Sequence, residues 1–250
     1  MVFIHGGGWA VGDLATYDEL CARLAIASQS VVFSVDYRRA PEEPFPAAVQ
    51  DSEAATRWLL DQAKNLGINS QRVVIAGDSA GGNLAAVVAR RLRDHPPSSG
   101  VCLLGQLLIY PITDGRMNSA SYAQFSIGYG LTKRRMEWYW DMYCPDPDQR
   151  GHPDASPILA AELDGIPPMV VVVATHDPLH DEAREYADAA LAAGVQVEVL
   201  EAKGQLHGFI RCTGIIDEAI ATIDRLGVAV VEWAATAAED SNKQALAGLE

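Results

Sequence analysis

Ser79 lies at the centre of Gly77-Asp78-Ser79-Ala80-Gly81, a Gly-x-Ser-x-Gly pattern. The apolar run Val73-Val74-Ile75-Ala76 precedes it, and residues 82–93 continue at helical spacing. The reading is a buried strand, a sharp turn and a helix. Glycines two residues either side of the serine leave room for a backbone that doubles back where a Cβ would clash. Such a turn lifts the Ser79 hydroxyl above the sheet, at the positive end of the helix that follows. A serine hydroxyl is a weak nucleophile at neutral pH, so the chemistry on offer is acyl transfer, provided a base can take the proton.

The chain has six histidines from which that base must come. His5, His176 and His207 each follow an expected strand, so each can reach the sheet edge that carries Ser79. His95 and His152 sit beside prolines in surface loops, and His180 falls at a helix start. A base needs a carboxylate to hold its tautomer and steady the imidazolium. Asp177 follows the strand expected at 168–174 and is stiffened by Pro178; its rival, Asp181, stands where an N-cap belongs. The order Ser79, Asp177, His207 is the chain order of nucleophile-elbow hydrolases. Near the N-terminus, His5-Gly6-Gly7-Gly8-Trp9 places three glycines in a row, a costly choice that suits a loop whose bare N–H groups approach a ligand.

The elements around these residues alternate. Strands are expected at 1–4, 30–35, 72–76, 101–109, 168–174 and 195–200, with helices at 14–28, 47–66, 82–93, 181–193 and about 215–235. That alternation predicts an α/β fold, a mostly parallel sheet with helices on both faces. Residues 113–157 interrupt it with seven aromatics and one expected helix at 133–143, the place for a lid or binding wall. No internal repeat appears, and one domain is expected over 1–250.

Composition narrows the partners. The chain is 49% hydrophobic and 21% charged, with a formal net charge of −14. A surface this acidic repels phosphate backbones, which argues against nucleic acid and for a small uncharged ligand. Its four scattered cysteines contain no Cys-x-x-Cys pair, which points away from a zinc site or disulfide framework and towards a reducing compartment. No apolar run reaches the roughly 18 residues of a membrane span.

Five motifs together resemble the hormone-sensitive-lipase-like branch (bacterial family IV) of the α/β-hydrolase esterases. They are His5-Gly6-Gly7-Gly8-Trp9, Tyr37-Arg38-Arg39-Ala40-Pro41-Glu42, Gly77-Asp78-Ser79-Ala80-Gly81-Gly82-Asn83, Asp177-Pro178-Leu179 and His207-Gly208-Phe209. The resemblance runs from residue 1 to about 232. It implies an α/β-hydrolase fold, Ser79 as nucleophile, Asp177 as acid and His207 as general base. The N–H groups of Gly7, Gly8 and Ala80 become the oxyanion hole, and His5 becomes a brace for its loop. Asp78 is expected to hold the elbow loops by hydrogen bonds without a catalytic part. The implied activity is hydrolysis of short-chain, uncharged esters through an acyl-enzyme, with no metal or organic cofactor.

Two departures stand out against that resemblance. His176 and His180 add imidazoles near Asp177 where relatives carry other residues. Only four residues precede the glycine loop, so the resemblance places the N-terminal cap and the first edge strands outside this chain. The strand at 30–35 is then expected to be an open edge that pairs with another chain, as can 195–200, giving a homodimer. A cytoplasmic location is expected. Other readings are a non-catalytic small-molecule binding protein on the same fold, as in the hormone receptors that keep the serine and lose the histidine, or a deacetylase or lactonase with the same triad. The presence of Ser79, Asp177 and His207 together weighs for catalysis.

Overall fold

In the computed structural model, which describes residues 1–97 and 100–247, six parallel strands form one sheet in the order β2-β1-β3-β4-β5-β6. In chain order the elements are β1 (Val2–Ile4), α1 (Leu14–Ser28), β2 (Phe33–Val35), α2 (Ala47–Gln62), β3 (Val74–Asp78) and α3 (Ala80–Asp94). They continue with β4 (Gly105–Ile109), α4 (Ala120–Gln124), α5 (Lys133–Tyr143), β5 (Met169–His176), α6 (His180–Ala192), β6 (Val197–Leu206) and α7 (Asp217–Ala247). No helix among the described residues is long and apolar enough to cross a membrane.

Strand periodicity distributes the core. In β1, Val2 and Ile4 point to one face with Ile75 and Leu108, and Phe3 points to the other with Val74, Ala76 and Leu107. α2, α3 and α6 cover the first face through residues such as Val49, Leu84 and Tyr186; α1 and α7 cover the second through Leu20, Leu24, Ile223 and Leu226. Both faces of the sheet are therefore dry, which is why its strands read as near-continuous apolar runs. Gly227 lets α7 lie against α1, since a Cβ there would come 2.4 Å from the Ala27 backbone.

The helices at 14–28 and 133–143 match the sequence reading to the residue. Several other boundaries moved. β2 covers only Phe33–Val35, because as an edge strand it pairs with β1 over three residues and Val31 is left exposed. β3 and β4 start later than expected, at Val74 and Gly105. β6 runs on to Leu206, through a stretch expected as loop. There the ladder shifts between Ala174↔Ala202 and His176↔Leu206, and the Gly204 N–H donates to Thr175 Oγ1 at 2.8 Å, so the expected loop is a bulge that keeps pairing.

Candidate active site

Ser79, Asp177, His207 and the glycine loop all stand at the carboxyl ends of strands, where open parallel sheets bind ligands. Ser79 separates β3 from α3 in a turn with φ 54° and ψ −119°. Steric demands hold it there. A Cβ on Gly77 would lie 2.2 Å from the Gly81 carbonyl oxygen, and one on Gly81 would lie 1.9 Å from that of Ile4. The Ser79 N–H donates to the Ile109 carbonyl at 2.8 Å, and Asn83 Nδ2 donates to the carbonyls of Ile112 and Ala155, both at 2.9 Å. The elbow is thus tied to the loop after β4.

Ser79 Oγ lies 2.9 Å from His207 Nε2, and His207 Nδ1 lies 2.7 Å from Asp177 Oδ2. Asp177 is fully buried, and its second oxygen accepts the Leu179 N–H at 2.9 Å. A buried carboxylate with those partners orients the imidazole so that Nδ1 carries a proton and Nε2 is free to accept one. The three residues come from the turn after β3, the loop after β5 and the loop after β6. Of the three candidate bases, only His207 reaches Ser79. His5 turns its Nδ1 to the Gly6 carbonyl at 2.8 Å and stacks on Tyr37 with ring centroids 4.4 Å apart. His176 stacks on Tyr129 with the planes 3° apart.

Asp181 is not the N-cap expected of it. Leu179 holds that position in α6, and Asp181 accepts the Ser121 N–H at 2.8 Å and meets His180 Nδ1 at 2.8 Å, tying α6 to the start of α4. Capping signals in sequence identify a polar residue near a helix start and not which helix it serves.

Gly7 and Gly8, at φ 108° and 57°, adopt backbone that favours glycine. The loop they form is fixed from three directions. His5, which burial holds below the usual imidazole range, braces the Gly6 carbonyl, and Tyr37 donates its hydroxyl to the His5 carbonyl at 2.9 Å. Asp78 Oδ1 accepts the Gly6 N–H at 2.8 Å, and its Oδ2 accepts the Tyr17 hydroxyl at 3.3 Å. Burial pushes the Asp78 carboxyl up to about 6. Trp9 stacks on Tyr143 of α5, centroids 3.9 Å apart and planes 7° apart. Ala80 opens α3, where the first N–H groups have no intrahelical acceptor. Gly7 and Gly8 border the same cavity as Ser79.

That cavity holds about 310 Å³ and is walled by Leu131, Met136 and Tyr139 from the interrupting segment and by Val11 and Tyr17 from the front of the chain. A larger recess of about 490 Å³, beside Met1, Val31 and Val73, lies at the opposite ends of the strands and is bordered by none of Ser79, Asp177 and His207. Among the segment's aromatics, Tyr122, Trp140 and Tyr143 are core and only Tyr139 reaches the cavity. Two charged residues that sequence reasoning passed over, Arg135 and Arg211, also line it. The available signal was the run Lys133-Arg134-Arg135, three cations in the first turn of a helix, where the dipole disfavours them.

The fold and this arrangement define a class: an α/β sheet with a serine on a sharp strand-to-helix turn, a histidine and a buried aspartate at the carboxyl ends of β3, β6 and β5. A family model described as alpha/beta hydrolase fold matches residues 1–211. The chain is 43% identical over 213 residues to the carboxylic ester hydrolase LipN of Mycobacterium tuberculosis, a match covering 84% of this chain and 57% of that protein. It is 38% identical over 219 residues to an ethyl acetate hydrolase of Pseudomonas putida, covering 88% and 68% of the two. The crystal structure of a serine-to-alanine variant of LAE6, an alpha/beta hydrolase enzyme from the metagenome of Lake Arreo, Spain, superposes with a TM-score of 0.88. That match has 38% identity and covers 92% of this chain and 72% of the other. The chain belongs to the α/β-hydrolase fold family, in its hormone-sensitive-lipase-like esterase branch.

Proposed function

We propose that this protein is a serine carboxylesterase acting on short-chain acyl esters, with Ser79 as nucleophile, His207 as general base and acid, and Asp177 as the acid that orients it. The observation that carries the reading is the unbroken hydrogen-bond chain from buried Asp177 through His207 to Ser79. As Ser79 Oγ bonds to the ester carbonyl carbon, its proton passes to His207 Nε2 and the carbonyl electrons move onto oxygen. The N–H groups of Gly7, Gly8 and Ala80 take that oxyanion; one such donor is worth roughly 10²–10³ in rate. Collapse breaks the carbon–oxygen bond to the alcohol, and His207 returns the proton to the departing oxygen. Water then repeats both steps on the acyl-enzyme, releasing the carboxylic acid and restoring the Ser79 hydroxyl.

Short acyl groups suit the cavity, since about 310 Å³ closed by Met136 and Tyr139 must hold both halves of the ester. Ester hydrolysis by the relatives named above supports the reaction class. The test is pre-steady-state hydrolysis of p-nitrophenyl acetate, butyrate and decanoate by this chain and by Ser79→Ala. The expected result is a burst of p-nitrophenol with acetate and butyrate, weaker turnover of decanoate, and none of it in the variant. Folded protein with no turnover, or turnover that survives Ser79→Ala, overturns the proposal.

A further inference from the structure

Most arginines of this acidic chain are tied to carboxylates: Arg90 and Arg91 to Asp154, Arg38 to Asp51, Arg225 to Glu198. Two that are not so tied face the Ser79 cavity. Arg135, in the first turn of α5, and Arg211, four residues beyond His207, both line it, and neither has a carboxylate within ion-pair distance among the described residues. Arg211 is held in place without losing its charge. Its guanidinium lies 4.3 Å from the centre of the Tyr17 ring and donates to the Thr16 carbonyl at 3.3 Å. Arg135 stands beside Lys133 and Arg134, at the helix end where cations are least favourable, so its position costs α5 stability.

Among the described residues only one carboxylate borders the cavity, and it is already engaged. Asp78 is 2% exposed, with its oxygens on the Gly6 N–H and the Tyr17 hydroxyl. The chain's net charge of −14 describes its surface as a whole. At the cavity the nearest charges without an ion-pair partner dominate, and among the described residues these are the guanidiniums of two solvent-exposed arginines.

We propose that Arg135 and Arg211 are specificity residues that select esters carrying a carboxylate on their alcohol portion. The side of the ester follows from the reaction proposed above, on which this inference rests. His207 returns its proton to the departing alcohol, so that portion lies on the His207 side of the cavity. Gly208 and Arg211 line the cavity on that side, joined to His207 by the turn Phe209–Arg211. A guanidinium presents a planar fork of donors that fits a carboxylate with two parallel hydrogen bonds. The global-charge reading of an uncharged substrate gives way, at this site, to an anionic one.

The test compares 4-acetoxybenzoate with 4-acetoxybenzamide, an anion and its neutral near-isostere with the same acyl group. Each is hydrolysed by the unmodified chain, Arg135→Gln, Arg211→Gln, the double variant and Arg211→Lys. The readout is the ratio of kcat/KM for the two esters on one preparation, from which the fraction of folded enzyme cancels. The expected ratio favours the benzoate in the unmodified chain and falls about tenfold on loss of one charge-assisted contact. It falls further in the double variant and recovers in part with Arg211→Lys. If the amide is hydrolysed and the ratio is the same in the unmodified chain and the double variant, the specificity proposal is overturned and the esterase reading stands. If the unmodified chain hydrolyses neither ester, nor p-nitrophenyl acetate, the esterase reading itself fails and this inference fails with it.

Discussion

Asp177 has both carboxylate oxygens assigned, one to the Leu179 N–H and one to His207 Nδ1. Asp177→Asn keeps the first bond by placing its oxygen on Leu179, which turns an NH₂ donor towards Nδ1. The imidazole must then carry its proton on Nε2, where it cannot accept one from Ser79. The expected outcome is a folded enzyme with kcat on p-nitrophenyl acetate lowered by on the order of 10⁴. Asp78 is a second buried carboxylate, one that burial pushes from 3.8 up to about 6. Between those values the folded state binds the proton that the unfolded chain has released, so this residue's effect on stability becomes less favourable as pH rises from about 4 to 6. Asp78→Asn can keep the Gly6 bond and removes that dependence. Thermal melts from pH 4 to 8 should show the unmodified chain losing up to about 3 kcal/mol relative to the variant across that window, with the gap constant above it. A pH-independent difference sinks the assignment.

At the scale of elements, the elbow depends on how closely α3 approaches β1. Gly81→Ala would place a methyl 1.9 Å from the Ile4 carbonyl, backbone against backbone. Urea unfolding is expected to show a loss of about 3 kcal/mol or more. The glycine loop leans on α5 through the Trp9–Tyr143 stack, so Tyr143→Ala should cost about 3–5 kcal/mol and also lower kcat, because the loop loses a wall. Tyr143→Phe retains the stack and removes a buried hydroxyl that has no hydrogen-bond partner among the described residues. Its stability should stay within about 1 kcal/mol of the unmodified chain.

Those elements were legible to different degrees. α1 and α5 were legible from periodicity, a local signal, and the structure adds the Asp13 and Thr132 caps that fix where each begins. The elbow and the glycine loop were legible because sterics there leave one residue type. The end of β6 was not, since Lys203-Gly204 looks like a turn until Thr175 on the neighbouring strand takes the Gly204 N–H. Asp181 and the two cavity arginines were missed for the same reason. Their roles depend on α4, on the Ser79 cleft and on Tyr17, all distant in sequence.

Across the whole molecule, the two faces of one sheet share every strand, which supports the proposal of a single domain. Calorimetry should show one cooperative transition, with calorimetric and van't Hoff enthalpies equal. β2 and β6 are the edges of that sheet, and the proposed association of two copies through one of them predicts a sedimentation coefficient that rises with concentration. A concentration-independent monomer value refutes it.

Ser79 and His207 are 128 residues apart, and among the described residues the strand that delivers His207 is the last. During synthesis the proposed nucleophile therefore leaves the ribosome long before its proposed base. A nascent chain that has made β1 to β5 holds the serine, the acid and the glycine loop, yet its hydroxyl remains as inert as any other. On the proposed mechanism the capacity to react arrives in one step, when β6 docks beside β5.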